Sequence, residues 1–336
     1  MIMHKSKNTI LSTSLVGGLL LAAGCLEPES VDSTAMADSG TDGAESGGEE
    51  GGNEAGAEAG IDPNAADELL FQEALALYDS GDYVGADPLF VQLWNEYPDS
   101  PRHDNAGYLH GRCLYALADF VAARDAFDAA ISAHPTSVLL DSMSYFGGRS
   151  RFRLADYTAA MANFEASLQA DAAGVYADNS LYYIGRSYYE LNDDVSAEAV
   201  LSNFESQYPD SSYVDNAAYY LGRTRFSGQD YAGANAALLH VLDFSDSIYL
   251  DNARYYLGRS HYGAGDLSGA LTWFDEVISL FPGGAYEDNA MYYQVRVYVD
   301  LGQCTDATSN LGELQAAYPG GTYTVMAQDY VVANGC

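Results

Sequence analysis

Lysine is almost absent from this chain of 336 residues, and none follows Lys7. The 48 aspartates and glutamates are therefore opposed by positive charge that, apart from Lys5 and Lys7, comes from arginine alone, and the formal net charge is −34. Such a charge repels nucleic acid and anionic membrane surfaces. We therefore exclude DNA and RNA as partners, and we expect the charge to serve solubility, cationic partners or a saline environment.

The sequence also lacks the signatures of an enzyme active site. Its 6 histidines are scattered, with no His-Glu-x-x-His spacing for a metal ion. It has neither a glycine-rich phosphate loop nor a Gly-x-Ser-x-Gly elbow. We therefore predict no catalytic residue, no metal and no cofactor, and we expect a binding protein.

The first 25 residues have the pattern of a targeting segment. Lys5 and Lys7 precede an apolar run from Ile10 to Ala23, and Leu-Ala-Ala-Gly stands directly before Cys25. This end resembles the lipobox of bacterial lipoproteins. The resemblance implies cleavage before Cys25, attachment of lipid such as palmitate to its thiol and, because Leu26 rather than Asp follows, sorting to the outer membrane. An ordinary secretory signal and an uncleaved anchor are the alternatives.

Residues 26–62 contain no aromatic residue and are rich in Gly, Ala, Ser, Glu and Asp. A segment of this composition cannot bury enough apolar surface to offset its ordering entropy, and its charges repel one another. We predict a disordered acidic tether between the lipid and a folded domain at 63–336. Beyond the targeting segment, no stretch of the sequence is apolar enough to span a bilayer.

From Asp104 to Arg296 the chain repeats one phrase: an Asp, usually an Asn, and an aromatic-rich stretch that usually ends in Gly-Arg. The period is 37 residues, with one step of 36. A period of this size predicts stacked units that bury their apolar faces against their neighbours. The phrases are DNAGYLHGR at Asp104, DSMSYFGGR at Asp141, DNSLYYIGR at Asp178, DNAAYYLGR at Asp215, DNARYYLGR at Asp251 and DNAMYYQVR at Asp288.

Each unit has a second half in phase with this phrase. An alanine follows the glycine position by 12 residues and a large apolar residue by 16, as in Gly111, Ala123 and Phe127. The i, i+4 spacing of the last two predicts a second helix packed closely on the first. An Asp between the two halves predicts the N-cap of that helix, and a Pro closes most units. The predicted N-caps are Asp82, Asp119, Asp156, Asp193, Asp230 and Asp266.

These signals predict an all-α solenoid of about seven helical hairpins. The first unit runs from Asp67 to Ser100, and a capping helix from Thr322 to Asn334 closes the array. The pattern of Gly111, Ala123 and Phe127, with its closing proline, resembles the tetratricopeptide repeat.

The connection between units, as in residues 208–217, is longer than usual and is similar to that of two periplasmic branches of this family. One is the BamD-type lipoprotein of the outer-membrane β-barrel assembly machine, and the other is the YbgF-type protein of the Tol–Pal system. Seven units exceed what either branch usually has, and no coiled-coil segment precedes the repeats as in the YbgF type. The resemblance implies a lipid-anchored scaffold on the periplasmic face of the outer membrane, with outer-membrane assembly, Tol–Pal or secretin proteins as partners. The alternatives are a secretin or pilus-assembly pilotin and a peptidoglycan-binding module.

One face of each first helix carries an Asn, a Tyr and an Arg at positions i, i+3 and i+7, which we call the inner stripe. First helices line the concave groove of tetratricopeptide arrays, so the resemblance implies that the stripe faces inward. Asn can bind a peptide main chain, Tyr offers contact area, and Arg can grip a carboxylate with two N–H groups. We therefore predict that the inner stripe binds partners. Its candidate residues are Asn105, Tyr108, Arg112, Tyr145, Arg149, Asn179, Tyr182, Arg186, Asn216, Tyr219, Arg223, Asn252, Tyr255, Arg259, Tyr292 and Arg296.

A structural role for the same stripe is the alternative. Each Arg could pair with an Asp at the start of an adjacent helix, as Arg223 with Asp178, Asp215 or Asp251, while the tyrosines stack on the guanidinium planes. The set of Asn, Tyr and Arg is nearly the same in successive first helices. This repetition favours the structural role, because a specific ligand rarely needs six equal contacts. The two roles can coexist, since a stacked guanidinium keeps free donors.

Three cysteines follow Cys25. In an oxidising compartment Cys304 and the terminal Cys336 are candidates for a disulfide that fastens the last helix to the array, with two free thiols as the alternative. Cys113 occupies a position that Ser, Thr or Val fills in the other phrases, which predicts a small packed residue.

Overall fold

The computed structural model describes residue 62 and residues 65–336. The predicted targeting segment, the lipidation site Cys25 and nearly all of the predicted tether lie outside the described residues. Within the described part, no helix is both long enough and apolar enough to cross a membrane. Every regular element from residue 65 onward is helical, as predicted.

Seven helical hairpins follow one another along the chain, and a single helix closes the array, which confirms the predicted architecture. The helices are α1 (Ala66–Asp79), α2 (Tyr83–Glu96), α3 (His103–Ala116), α4 (Phe120–Ala133), α5 (Leu140–Arg153), α6 (Tyr157–Ala170), α7 (Ala177–Glu190), α8 (Asp194–Leu201), α9 (Phe204–Gln207), α10 (Val214–Ser227), α11 (Tyr231–Val241), α12 (Leu250–Gly263), α13 (Leu267–Leu280), α14 (Glu287–Asp300), α15 (Cys304–Ala317) and α16 (Thr322–Ala333). The first helices of the hairpins are α1, α3, α5, α7, α10, α12 and α14, and the closing helix is α16.

Two second helices differ from the regular pattern of 14 residues. The second helix of the fourth hairpin is divided after Leu201 into α8 and the short α9. In the next hairpin, α11 has 11 residues and ends at Val241. The one period of 36 residues spans this shortened helix, so the missing residue is absorbed without disturbing the first helices.

An aspartate begins the second helix in six of the hairpins, as the sequence predicts. Its side chain accepts a hydrogen bond from the backbone N–H three residues on, which satisfies one of the unpaired donors at a helix start. In the second hairpin, Asp119 accepts from the N–H of Ala122. The other such pairs are Asp82–Gly85, Asp156–Ala159, Asp193–Ser196, Asp230–Gly233 and Asp266–Gly269.

The glycine position marks the closest approach within a hairpin. A Cβ added at Gly111 would lie 2.6 Å from the ring of Phe127, and one added at Gly148 would lie 2.7 Å from the ring of Phe164. Both rings are fully buried. Glycine is therefore required here because any side chain would displace the large residue of the partner helix.

Candidate functional site

The tyrosines of the inner stripe are buried between repeats. Tyr145 is completely inaccessible to solvent, and the other five are at most 7% exposed. Arg149 and Arg186 are also buried, whereas the stripe's asparagines and its remaining arginines are half-buried. The aromatic part of the stripe therefore does not form an open binding surface.

Each arginine of the stripe donates a hydrogen bond from Nη1 to the hydroxyl of the tyrosine one turn earlier on the same helix. Both partners lie at fixed positions of the repeated phrase, so the same bond recurs in six hairpins. The distances are 2.8 Å for Arg112–Tyr108, 2.8 Å for Arg149–Tyr145, 3.5 Å for Arg186–Tyr182, 2.8 Å for Arg223–Tyr219, 3.0 Å for Arg259–Tyr255 and 3.2 Å for Arg296–Tyr292.

The guanidinium groups also contact aromatic rings of neighbouring units. Arg223 shows the pattern: its Cζ lies 5.5 Å from the ring centroid of Tyr189 in the preceding hairpin and 4.0 Å from that of Tyr256 in the following one. Attraction between a cation and an aromatic face is strongest where water is excluded. Five of the six stripe arginines thus join three consecutive units, whereas Arg112 lies over Tyr108 of its own helix and Phe146 of the following hairpin. The equivalent sets are Tyr115–Arg149–Tyr183, Phe152–Arg186–Tyr220, Phe226–Arg259–Tyr293 and Tyr262–Arg296–Tyr330.

The asparagines complete the contact between units. Nδ2 of Asn252 donates to the hydroxyl of Tyr219 in the preceding hairpin at 3.3 Å and to that of Tyr286 in the following one at 3.0 Å. Asn179 donates in the same way to Tyr145 in the preceding hairpin, at 3.3 Å. One tyrosine hydroxyl can therefore accept from the arginine of its own helix and from the asparagine of the next.

A second set of tyrosines stacks on the stripe, and the sequence analysis missed it. Tyr249 lies 4.2 Å from Tyr219, centroid to centroid, with the two ring planes only 13° apart. Each member stands two residues before the Asp of a phrase, so the repeat period itself could have revealed the set. The other stacked pairs are Tyr145–Tyr176, Tyr182–Tyr213 and Tyr255–Tyr286.

The electrostatics of the stripe favour a structural role over acid–base chemistry. Burial raises the pKa of Tyr255, and the nearby charge of Arg259 offsets only part of this effect. The hydroxyl therefore stays protonated and the guanidinium stays charged at physiological pH. The described contacts include the stacking of tyrosines on guanidinium groups that the structural alternative expects, and they add hydrogen bonds from the arginines to tyrosine hydroxyls.

Within residues 65–336, the cysteines form one disulfide and one buried thiol. Cys304 and Cys336 form a disulfide with their Cα atoms 4.9 Å apart, which fastens the chain end after α16 to the start of α15. Cys113 is buried, and burial raises the pKa of its thiol to about 12. Among the residues that the structure describes, no group of three or more His, Cys, Asp or Glu side chains is placed to hold a metal ion.

Family models match much of this array. One tetratricopeptide repeat model matches residues 71–138 and 221–285, and a second matches residues 179–211. The array is a solenoid of tetratricopeptide-like repeats. Such repeats are typically non-catalytic, and their presence implies a scaffold for contacts between proteins.

Solved tetratricopeptide structures share the fold at low sequence identity. A repeat protein from Cytophaga hutchinsonii is 17% identical with a TM-score of 0.62, covering 76% of this chain and 98% of its own. One from Parabacteroides merdae is 12% identical with a TM-score of 0.52, covering 79% and 98%. PilF of Pseudomonas aeruginosa is 15% identical with a TM-score of 0.50, covering 67% and 96%. No curated protein of matching sequence was found.

Proposed function

We propose that the chain is anchored by lipid at Cys25 to the periplasmic face of the outer membrane. There its repeat array binds envelope proteins during outer-membrane assembly or envelope maintenance. The array carries the proposal, because seven stacked hairpins offer an extended surface, and the described residues form no metal centre. The disulfide between Cys304 and Cys336 supports an oxidising compartment outside the cytoplasm.

The partner surface we propose is the accessible part of the inner stripe together with the aspartates beside it. Asn105, Asn179 and Asn216 are half-buried, and each directly follows a partly or largely buried aspartate. The stripe's arginines already contact tyrosines, so much of their positive charge lies inside the array. The aspartates beside these asparagines, in a chain with a net charge of −34, favour partner segments that carry Lys or Arg.

Site-specific photo-crosslinking in the native cell tests this surface. A photoreactive residue replaces Asn216 on the inner stripe and, as the matched control, the exposed Gln169 on α6. We expect a protein captured from position 216 only, and mass spectrometry then identifies it. Equal capture from both positions, or none from 216, would move the partner site to another surface.

The identity of the captured protein separates the assembly functions. Components of barrel assembly or of the Tol–Pal system support the proposal, whereas secretin subunits would favour a pilotin instead. The peptidoglycan-binding alternative has lost its main support, because Tyr182 and Tyr219 are buried and offer no open ring face to a sugar.

Lipid anchoring is tested separately at Cys25. In the Cys25→Ser variant we expect the protein to leave the outer-membrane fraction and to lose metabolic labelling by an alkyne-tagged palmitate. A variant that keeps both properties would show that Cys25 is not the anchor.

A further inference from the structure

Two phenols and a carboxylate meet where the closing helix α16 packs on the last two hairpins. The hydroxyl of Tyr262 on α12 donates to Oδ2 of Asp300 at 2.5 Å. The hydroxyl of Tyr330 on α16 donates to Oδ1 of the same carboxylate at 2.6 Å, and it also contacts the hydroxyl of Tyr262. Asp300 is the last residue of α14. We call these three residues the tyrosine–aspartate cluster.

The repeat places residues at the equivalent positions elsewhere in the array, but none of these sets combines two tyrosines with a carboxylate. A residue without a carboxylate replaces the aspartate, or a phenylalanine replaces a tyrosine. The equivalent sets are Tyr78–Ala116–Phe146, Tyr115–Arg153–Tyr183, Phe152–Glu190–Tyr220, Tyr189–Ser227–Tyr256 and Phe226–Gly263–Tyr293. The packing of successive hairpins therefore does not require this cluster.

The arginine contact that holds the other hairpins together is also present beside the cluster. The guanidinium carbon of Arg296 lies 5.3 Å from the ring centroid of Tyr262 and 4.7 Å from that of Tyr330. Arg149 makes the equivalent pair of contacts, although its unit has no carboxylate at the position of Asp300. Asp300 is therefore an addition to a contact that forms elsewhere without it.

The oxygen atoms of the cluster are the hard donors that small, highly charged cations prefer. Tyrosine ligates iron through its phenolate oxygen in known haem sites. The oxygen–oxygen distances of 2.5 and 2.6 Å are close to the edge of an octahedral site, which is roughly 2.8 Å for metal–oxygen distances of about 2.0 Å. One cation can therefore replace both protons and contact three oxygens with small movements of the side chains.

From this geometry we propose that Tyr262, Asp300 and Tyr330 bind one ferric ion. Iron enters and remains as Fe³⁺, so no electron is transferred. The two phenolic protons pass to water as two iron–phenolate bonds form, and the carboxylate and water supply the remaining ligands. With its protons in place the cluster is held by hydrogen bonds alone and is not a metal centre.

The charge of the ion decides which cation the cluster takes. A trivalent ion polarises a phenol strongly enough to displace its proton, whereas Ca²⁺ and Mg²⁺ take carboxylates, carbonyl oxygens and water. The guanidinium of Arg296 repels any cation nearby, but it also attracts the two phenolates. Three anionic ligands outweigh this one positive charge, and the net charge of −34 attracts cations to the chain.

The position of the cluster gives the ion access and a structural effect. Asp300 is exposed and both tyrosines are half-buried, so the cluster can be reached from solvent. Its ligands come from α12, α14 and α16, so the ion fastens the closing helix to the sixth and seventh hairpins. The disulfide between Cys304 and Cys336 fastens the same end of the array by a separate bond.

Visible absorption tests the site, because ferric phenolate complexes absorb visible light and the iron-free chain has no chromophore in that range. We expect full-length protein titrated with ferric nitrilotriacetate to develop this band and to saturate at one iron per chain. Hydrogen exchange in α16 should slow when iron is bound, since a ligand of the folded state stabilises it. Absence of the band would overturn the proposal.

Substitution of each phenol provides the matched test. Tyr262→Phe and Tyr330→Phe each remove one phenolate, and we expect the affinity for iron to fall at least about tenfold, with loss of most of the band. The control is Tyr318→Phe, because Tyr318 donates to Glu287 as a single phenol on a single carboxylate, and this variant should keep the band. An unchanged band in both cluster variants would place the iron on other tyrosines and refute the site.

The Asp300→Asn variant separates iron binding from folding. Its amide oxygen still accepts a hydrogen bond, so circular dichroism should show the same helix content, while loss of the carboxylate charge lowers the affinity for iron. Full affinity in this variant would contradict the proposed ligand set. A gain in thermal stability with Ca²⁺ or Mg²⁺, but none with ferric ion, would contradict the assignment to iron.

Discussion

We call the contact between two successive hairpins a junction. The first junction, between the first and second hairpins, is held together by different side chains from those of the later junctions. At four of the later junctions a tyrosine of one unit stacks on a tyrosine that precedes the next unit, as Tyr219 does on Tyr249. At the first junction, Phe71 takes the first of these positions, and the guanidinium of Arg102 lies over it at 5.0 Å. Glu68 stands where the later units have Asn. The first junction thus relies on a buried ion pair, and the later ones on neutral hydroxyls and arginine.

Because of this difference, the stability of the first junction depends on pH in the acidic range, whereas that of the later junctions does not. Burial raises the pKa of Glu68, but the hydrogen bonds from Arg102 and Gln72 outweigh it, so the folded pKa lies below its usual value. The contribution of the pair is therefore fully present above the unfolded pKa of about 4.3, and it is lost as the pH falls through the folded value. Tyrosine and arginine keep one protonation state across this range, so the later junctions do not weaken in this way.

Among the substitutions predicted here, removal of the Glu68 side chain should cause the largest loss of stability. In Glu68→Ala the guanidinium of Arg102 stays buried without its carboxylate, and we expect a loss of about 3–5 kcal/mol at the first junction. The loss should be confined to α1 and α2 in native-state hydrogen exchange, since later junctions keep their own contacts. Glu73→Ala, at an exposed position of the same helix, is the control and should change little. A uniform loss across all hairpins would show that the first junction is not a separate unit.

Truncation of one stripe arginine should break a later junction. Arg149 is 2% exposed and contacts Tyr145, Tyr115 and Tyr183. We expect Arg149→Ala to cost about 2–4 kcal/mol, because it leaves a cavity and removes the cation from two desolvated rings. Urea unfolding followed by circular dichroism measures the change. Arg124→Ala, at a surface ion pair with Asp125, should cost less than about 1 kcal/mol. Equal losses would refute the structural role of the stripe.

The glycine position tests the contact within a hairpin rather than between hairpins. In Gly148→Ala the new Cβ would lie 2.7 Å from a carbon of the rigid Phe164 ring, and we expect a loss of about 1–3 kcal/mol. The control is Gly312→Ala on α15, where nothing lies within 4 Å of the new Cβ, so this variant should gain up to about 1 kcal/mol. Thermal unfolding of both variants gives the comparison. A stabilised Gly148→Ala would mean that the helices can move apart without cost.

Much of the fold could be predicted because its signals recur in most units. The Asp caps, the glycine position and the closing prolines depend only on contacts within one hairpin, and all three lie at fixed spacings. The burial of Tyr219 and its equivalents could not be read in the same way. It depends on how closely successive first helices approach, which no single unit specifies. The disulfide could be named only as a candidate, because the distance between Cys304 and Cys336 is set by how α15 and α16 pack.

The smallest expected effect lies in the turn between the two helices of a hairpin. The residue before the capping Asp adopts a positive φ: Gly81 in the first hairpin at +80°, but Ala155 in the third at +58°. A left-handed conformation costs a residue with a Cβ about 1–2 kcal/mol, and glycine avoids this cost but loses more entropy on folding. We therefore expect Ala155→Gly to stabilise the third hairpin by about 0.5–1 kcal/mol and Gly81→Ala to destabilise the first by a similar amount. Hydrogen exchange within each hairpin would measure both. The prediction is that the two substitutions have opposite effects. If both stabilised their hairpins, or both destabilised them, the conformation of this turn residue would not control local stability.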